Sequence, residues 1–324
     1  MNYIEQAYKG KNEWYHWVLT FILVVLGWQV IGAFPLLMAA AAKSENMTQF
    51  SEFAEDGFMT AGLNKNFLLF LMILTFFIGL IFLFIGVKYI HKRTITSLIT
   101  SRDKIDWKRF FYGFFVWGIL AVAMSFVGIL LAPENFTWNF NATPFFTLVA
   151  ISFLFLPFQT SLEELLFRGY FMQGIGVLAK NRWVPLLITS VVFGLLHGAN
   201  PEVAKLGQIT MVFYIGTGLF YGIVTLMDEG TEISLGLHAV NNITAAFLIT
   251  TDWTVFQTDA LYIDTSEPAV TWEMFFPVFV LYPLMLFIFS KKYGWSNWKE
   301  KLTGKITQPI NLKENYRVLD EIGE

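Results

Sequence analysis

The sequence predicts an all-α, polytopic transmembrane helical bundle of about eight spans, with both termini in the cytoplasm. Of the 324 residues, 55% are hydrophobic and only 15% are charged, whereas soluble domains carry roughly 25% charged residues. The charged residues avoid several long apolar runs, and a bilayer span needs about 20 apolar residues. Connections between these runs differ sharply in charge, which is typical of a multi-pass membrane protein.

The apolar runs define the predicted spans in chain order. Each run is free of Asp, Glu, Lys and Arg. The predicted spans are Trp17–Ala42, Phe67–Val87, Phe110–Ala132, Pro144–Leu162, Trp183–Leu196, Leu206–Met227, Ile233–Thr251 and Met274–Ser290. Lipid tolerates only structures whose backbone is hydrogen-bonded internally, so we interpret the runs as helices. Residues 1–290 are then a single transmembrane domain, and residues 291–324 are a polar, solvated cytoplasmic tail.

The charges of the connections predict the orientation of the chain. Basic residues follow the second and the last spans at Lys88, Lys92, Arg93, Arg102, Lys104, Lys108, Lys291 and Lys292. Acidic residues dominate the first, third and seventh connections at Glu45, Glu52, Glu55, Asp56, Glu134, Asp252, Asp259, Asp264 and Glu267. Basic connections stay in the cytoplasm. We therefore expect cytoplasmic termini in a multi-pass protein of the plasma membrane.

Composition also limits the possible chemistry. The chain has no cysteine, which excludes disulfides, thiolate nucleophiles and thiolate metal ligands. The net charge of −3 carries no indication of a nucleic-acid partner, and we expect none. The expected surroundings are a lipid bilayer.

Glu163, Glu164 and Arg168 directly follow the fourth apolar run. A charged residue at the centre of a membrane helix costs about 2.5–3.5 kcal/mol on insertion scales, so each needs a partner or a function. Glu164 and Arg168 are four residues apart and can pair, whereas Glu163 has Phe167 at the corresponding position. A carboxylate left free in apolar surroundings suits a general base. The alternative interpretation is an interfacial Glu–Arg pair at the end of a span.

Two further polar clusters lie at the end of the fifth span and within the seventh. Phe193 and His197 are one helical turn apart, and so are His238 and Asn242. Histidine and asparagine also join membrane helices by hydrogen bonds, which is the alternative interpretation of each cluster.

Helix geometry predicts that the first two clusters face each other. If a turn near Lys180–Arg182 joins two helices, Glu163 lies about 18 residues before the turn and His197 about 16 after it. These separations correspond to roughly 27 and 24 Å along each helix. The arrangement requires that the helix of Glu163 runs to about Leu178, with a break near Pro157. Entry of a substrate from either side of the membrane is compatible with this arrangement.

The three clusters together resemble the CAAX-protease and bacteriocin-processing (CPBP or Abi) family of intramembrane peptidases. That family carries Glu-Glu-x-x-x-Arg, Phe-x-x-x-His and His-x-x-x-Asn on successive membrane helices. All three motifs are complete here and in this order, and Phe167-Arg168-Gly169-Tyr170 matches a usual continuation of the first. The resemblance covers a peptidase-like core of about residues 147–251.

The resemblance implies an intramembrane CAAX-type endopeptidase, a hydrolase that acts on peptide bonds without a cofactor. By motif, it assigns catalytic roles to Glu163, His197, His238 and Asn242, and supporting roles to Glu164, Arg168 and Phe193. The first glutamate would activate a water with help from the first histidine, while the second histidine and the asparagine would stabilise the oxyanion. The implied substrate is a membrane-associated peptide or protein. It is a prenylated CAAX peptide in eukaryotic and archaeal relatives, and other relatives act on other peptides.

Three alternatives to this mechanism are open. Glu163, His197, His238 and Asn242 are possible Zn²⁺ ligands in a zinc-dependent version of the same peptidase, although asparagine is an unusual ligand. The ionisable residues would relay protons in a proton-coupled transporter, although the first three spans are almost purely apolar. A catalytically idle immunity or scaffold protein with the same fold is the third.

Overall fold

The computed structural model describes residues 1–309, so the part of the predicted tail from residue 310 to 324 lies outside the described residues. Within 1–309, eight long helical segments form the bundle, and we number them in chain order. Their bounds are α1 Trp14–Ala41, α2 Lys65–Ile90, α3 Trp107–Leu131, α4 Ala142–Ala179, α5 Trp183–Ala199, α6 Gln208–Asp228, α7 Glu232–Phe247 and α8 Trp272–Tyr293. Short helical pieces lie before, between and after them at Ile4–Lys9, Met47–Glu55, Ile95–Ile99, Pro133–Asn135, Pro201–Leu206 and Trp298–Thr303.

The fold is a polytopic helical membrane protein, as the apolar runs predict. Six of the described helices, all except α5 and α7, are long and apolar enough to cross a membrane. Helix α7 has only 16 residues, or about 24 Å, less than the roughly 30 Å of hydrocarbon in a bilayer. The count of eight spans and the side of the termini therefore stay predictions.

Helix α4 carries the first motif and passes Pro157 without interruption. Ala142–Glu164 is regular α-helix with Pro157 inside it, so the predicted break there is wrong. Membrane helices tolerate proline because neighbouring groups satisfy the freed backbone atoms. The irregularity comes later: Leu165–Phe171 is a π-helical stretch, a feature frequent at functional sites. The helix then runs to Ala179, close to its predicted end.

Glycines set the close packing of the helices that carry the motifs. A Cβ at Gly236 of α7 would lie 2.1 Å from the carbonyl oxygen of Phe110 in α3. A Cβ at Gly218 of α6 would lie 2.7 Å from the carbonyl oxygen of Ser190 in α5. Small residues let membrane helices approach in this way, and the approach packs α7 against α3 and α6 against α5.

A small three-stranded sheet joins two connections at one end of the bundle, and the sequence analysis does not predict it. Its strands are β1 Phe136–Trp138, β2 Ile249–Thr250 and β3 Tyr262–Asp264. The central strand β3 pairs antiparallel with β1 and parallel with β2. Strands of two or three residues are too short to produce an alternating pattern that can be recognised.

Most side chains of residues 291–309 are exposed, but part of this segment packs on the bundle. The side chains of Trp295 and Ile306 are buried, and the Trp295 indole nitrogen lies 3.2 Å from a carboxylate oxygen of Asp228. The Arg182 amide also donates to the Gly304 carbonyl oxygen at 3.1 Å. Two apolar side chains thus dock this segment on the bundle.

Candidate active site

The three motifs meet at one cavity of about 570 Å³ among α2, α4, α5, α6 and α7. The four residues with predicted catalytic roles and Phe193 line this cavity, whereas Glu164 and Arg168 lie outside its lining. Much of the remaining wall is apolar and comes from α2 and α4, with Leu69, Met72, Ile73, Phe76 and Leu156. The cavity therefore places a few polar groups in largely apolar surroundings.

Glu164 and Arg168 form an ion pair behind the cavity. Arg168 Nη1 lies 3.0 Å from Glu164 Oε1, and both side chains are fully buried, as their spacing on one helix face predicts. Arg168 Nη2 also donates to the Gly218 carbonyl oxygen of α6 at 3.1 Å. The guanidinium lies 4.1 Å from the ring centroid of Phe193 in α5, which is a cation–π distance. One arginine thus ties α4 to α5 and α6.

His238 of α7 bridges the two adjacent glutamates of α4. Its Nδ1 lies 3.0 Å from Glu164 Oε1, and its Nε2 lies 3.4 Å from Glu163 Oε2. Only the Nδ1 contact is a hydrogen bond, and Nδ1–H donates it because a carboxylate can only accept. The contact between Nε2 and Glu163 is an ion-pair distance. When Nε2 is protonated as well, two cations balance two carboxylates in this buried group, as burial of charge requires.

Glu163 belongs to a hydrogen-bonded chain that the sequence analysis missed. Gln159 Nε2 donates to Glu163 Oε1 at 2.7 Å, and Asn242 Nδ2 donates to Gln159 Oε1 at 3.0 Å. Asn242 in turn accepts from Asn241, whose Oδ1 accepts from Trp117 at 3.2 Å. In the sequence, this hydrogen-bonded chain is indicated only by the position of Gln159 in an apolar run, four residues before Glu163 and so on the same helix face.

His197 ends the regular part of α5 and lies on the cavity wall. Its Nδ1 is 2.7 Å from the Phe193 carbonyl oxygen, so the neutral ring carries its proton there and leaves Nε2 as the basic nitrogen. The ring stacks on Tyr214 of α6, with centroids 4.5 Å apart and planes at 23°. The Tyr214 hydroxyl is hydrogen-bonded to Glu202 and Asn200. Sequence reasoning missed Tyr214, which has no motif of its own.

Glu163 and His197 face the same cavity, as predicted, but they are not in direct contact. Both side chains line the same cavity, but no hydrogen bond or ion pair joins them among residues 1–309. The direct contact of Glu163 is with His238 of α7 instead. Any exchange between Glu163 and His197 therefore passes through a molecule in the cavity.

The four residues of the zinc alternative do not form a ligand set in this arrangement. In the described part of the chain, no group of three or more His, Asp or Glu side chains is placed to hold a metal ion. Glu163 and Asn242 are both bonded to Gln159, and His197 Nδ1 faces the Phe193 carbonyl. We derive no catalytic step through a metal.

Comparison with known proteins agrees with this geometry. Residues 142–244 match the family described as type II CAAX prenyl endopeptidase Rce1-like. The chain carries an Rce1-like domain. This domain contains all three motifs and runs from the start of α4 into α7, so the family predicted from the motifs is confirmed. The Rce1-like family is a family of CAAX proteases, and the six apolar helices of the described residues indicate a multi-pass membrane protein.

The chain is also similar to a bacterial relative of uncharacterized activity. It is 33% identical over 197 residues to the uncharacterized protein YyaK of Bacillus subtilis (strain 168). The aligned residues make up 60% of this chain and 66% of YyaK. The aligned part thus covers just under two thirds of that relative. No solved structure matches the chain.

Proposed function

We propose that this protein is an intramembrane CAAX-type endopeptidase in which Glu163 activates the attacking water. The observation that carries the proposal is the position of Glu163. Its carboxylate lies on the wall of the largely apolar cavity, held at one oxygen by Gln159 and 3.4 Å from His238 at the other. A carboxylate in such a position is a suitable general base.

In the proposed reaction, Glu163 removes a proton from a water molecule as the water oxygen bonds to the carbonyl carbon of the scissile peptide. The carbonyl oxygen becomes an oxyanion. The carbon–nitrogen bond then breaks, and the proton moves from Glu163 to the leaving nitrogen. The products are a carboxylic acid and an amine, and transfer of the acid proton to the amine then gives a carboxylate and an ammonium group. His197 Nε2, which faces the same cavity, assists these proton transfers.

His238 and Asn242 are the proposed donors to the oxyanion. His238 in its doubly protonated state presents an N–H at Nε2. Asn242 uses one amide proton on Gln159, and its second amide proton is available because a primary amide has two. Removal of one such donor typically lowers kcat by about 10²–10³. The buried Glu164–Arg168 pair holds the Nδ1 side of His238 and so fixes the donor.

The proposed substrate is a membrane-associated peptide or protein. The cavity wall is mainly apolar, which suits an apolar peptide segment and also a lipid-modified one. A prenylated CAAX terminus, as the family description names, and an unmodified peptide are therefore both included in the first assay.

The assay measures cleavage of quenched-fluorescent peptides by purified protein in detergent, with and without a chelator. Glu163→Gln keeps the shape of the side chain and removes its basicity, so we expect kcat to fall by about 10²–10⁴. The matched control is Glu52→Gln on the exposed connection between α1 and α2, which should retain full activity.

Two results would overturn parts of the proposal. A folded Glu163→Gln variant with undiminished kcat would remove Glu163 from the role of base. Activity that is lost with chelator and restored by Zn²⁺ would replace the metal-free mechanism with the zinc-dependent one.

A further inference from the structure

The helices alternate in direction, so that alternate connections meet at opposite ends of the bundle. At one end, the sheet joins the α3–α4 and α7–α8 connections. There, Asn66 at the start of α2 donates to the Pro144 carbonyl oxygen at 2.9 Å, and the Val255 amide donates to Glu202 at 3.1 Å. We call this the acidic end. It comprises the α1–α2, α3–α4, α5–α6 and α7–α8 connections.

The opposite end gathers the remaining connections. Arg182 of the α4–α5 turn forms an ion pair with Glu229 of the α6–α7 turn at 3.1 Å. The Ser101 amide of the α2–α3 connection donates to the Glu229 carbonyl oxygen at 3.0 Å, and Gly304 after α8 also bonds to Arg182. We call this the basic end. It comprises the α2–α3, α4–α5 and α6–α7 connections and the described segment after α8.

The two ends differ in charge. The acidic end has two basic residues, Lys43 and Lys205, in its connections, against the acidic residues Glu45, Glu52, Glu55, Asp56, Glu134, Glu202, Asp252, Asp259, Asp264 and Glu267. The connections of the basic end carry Lys92, Arg93, Arg102, Lys104, Lys180, Arg182, Lys299, Lys301 and Lys305, against the acidic residues Asp103, Asp106, Glu229 and Glu300. Lysine and arginine are retained in the cytoplasm. This rule places the basic end in the cytoplasm and the acidic end outside it.

The cavity extends from the motif residues to the acidic end. Beyond Glu163 and His197, its lining continues through Asn200 and Glu202 of the α5–α6 connection and through Thr254 of the α7–α8 connection. Its α2 residues come from the half of that helix nearest the acidic end. Among residues 1–309, none of the lining residues belongs to a connection of the basic end.

We propose that the active site is reached from the extracytoplasmic side of the membrane. On the proposed function, the substrate is then a peptide with an apolar segment that is anchored in the outer half of the bilayer or exposed beyond it. A lipid-modified terminus made and held in the cytoplasm would face the closed, basic end of the bundle. A substrate in the cytoplasm and a substrate outside it would thus have to reach the active site from opposite sides of the membrane.

The absence of cysteine from the sequence permits a direct test that does not depend on activity. Single cysteines are introduced by Ala245→Cys, Asp252→Cys and Lys104→Cys, and intact cells are treated with a membrane-impermeant maleimide before and after permeabilisation. Ala245 is exposed and lines the cavity, Asp252 is exposed on the acidic end, and Lys104 is exposed on the basic end. Each variant is also made together with Glu163→Gln.

We expect the cysteines at positions 245 and 252 to react in intact cells and the cysteine at 104 to react only after permeabilisation. The reverse pattern at 252 and 104 would overturn the orientation. A cysteine at 245 that reacts only after permeabilisation, or never, would overturn the extracytoplasmic opening. Because labelling requires no catalysis, an inactive protein with the expected labelling would contradict only the proposed function.

Discussion

The basic end and the cavity both bury charged side chains, but they satisfy them differently. At the basic end, Arg102 lies 3.0 Å from Asp228 and 3.1 Å from Glu232. The same carboxylates also accept from the Trp295 indole and the Asp106 amide, each at 3.2 Å. The charges of Arg102, Asp228 and Glu232 are thus paired with charges and with fixed donors of the protein itself.

The cavity leaves part of its hydrogen-bonding capacity to an incoming molecule. Glu163 Oε2 has a 3.4 Å contact with His238, which is beyond the usual length of a charge-assisted hydrogen bond. For His197, the described residues supply a partner at Nδ1 and none at Nε2. Charged side chains whose hydrogen-bonding partners are all supplied by the protein stabilise the fold. Charged side chains beside a cavity that lack some partners are available for chemistry. The following substitutions test this contrast.

Glu164→Gln should lower stability most, because it leaves the guanidinium of Arg168 buried without its counter-charge. Loss of one partner of a buried ion pair costs about 3–5 kcal/mol. Thermal or denaturant unfolding in detergent measures this loss. The double variant Glu164→Gln/Arg168→Gln should recover part of it, since no charge is then left unpaired. A single variant as stable as wild type would show that Arg168 finds another partner.

A change of pH should act on the basic end through His91, which is fully buried beside α2. Burial lowers the pKa of His91 to about 4, and the nearby Arg93 acts in the same direction, while the Lys11 carbonyl opposes them. The unfolded chain has a pKa of about 6.5 here. His91 therefore contributes stability above about pH 6.5, and this is lost as the pH falls towards 4.

The loss through His91 is at most about 3 kcal/mol, at about 1.4 kcal/mol for each unit of pKa shift. Unfolding of wild type and His91→Gln is compared between pH 7 and pH 4. The variant should be less stable at pH 7 and show a flatter dependence on pH. Parallel curves for the two proteins would assign the acid sensitivity to other groups.

Glu232→Gln is the counterpart of Glu163→Gln at the basic end. Glu232 is fully buried and accepts from Arg102 and the Asp106 amide, so its neutralisation should cost about 1–3 kcal/mol of stability. The kcat of the folded protein should stay unchanged, because Glu232 is not among the residues that line the cavity. A fall in kcat equal to that of Glu163→Gln would erase the distinction between the two regions.

Tyr214→Leu should have the smallest effect. It removes the stacked neighbour of His197, and an aromatic pair contributes about 0.5–1.5 kcal/mol. We expect kcat to fall by roughly 2- to 10-fold with little change in KM, because Tyr214 positions His197. Tyr214→Phe keeps the ring and should restore most of kcat. If both variants behave alike, the hydroxyl contact with Glu202 matters more than the stacking.

Local sequence predicted those parts of the site that lie on one helix. The Glu164–Arg168 pair follows from spacing alone, and so does the single helix that carries Glu163 to the α4–α5 turn. Gln159 and Tyr214 were missed because their roles come from partners on other helices, Asn242 and His197. The break predicted at Pro157 failed because tertiary packing tolerates a proline in a membrane helix.

The chain without its fold establishes the membrane-spanning character, the helical class, the charge contrast between connections and the three motifs of an Rce1-like domain. These properties depend on residue type and on spacing along one segment. The packing of the helices was needed to show that His238 lies between the two glutamates, that residues 291–309 dock on the bundle, and that the cavity extends to the acidic end. Those features depend on which helices are neighbours, and contacts between distant segments have no local pattern in the chain.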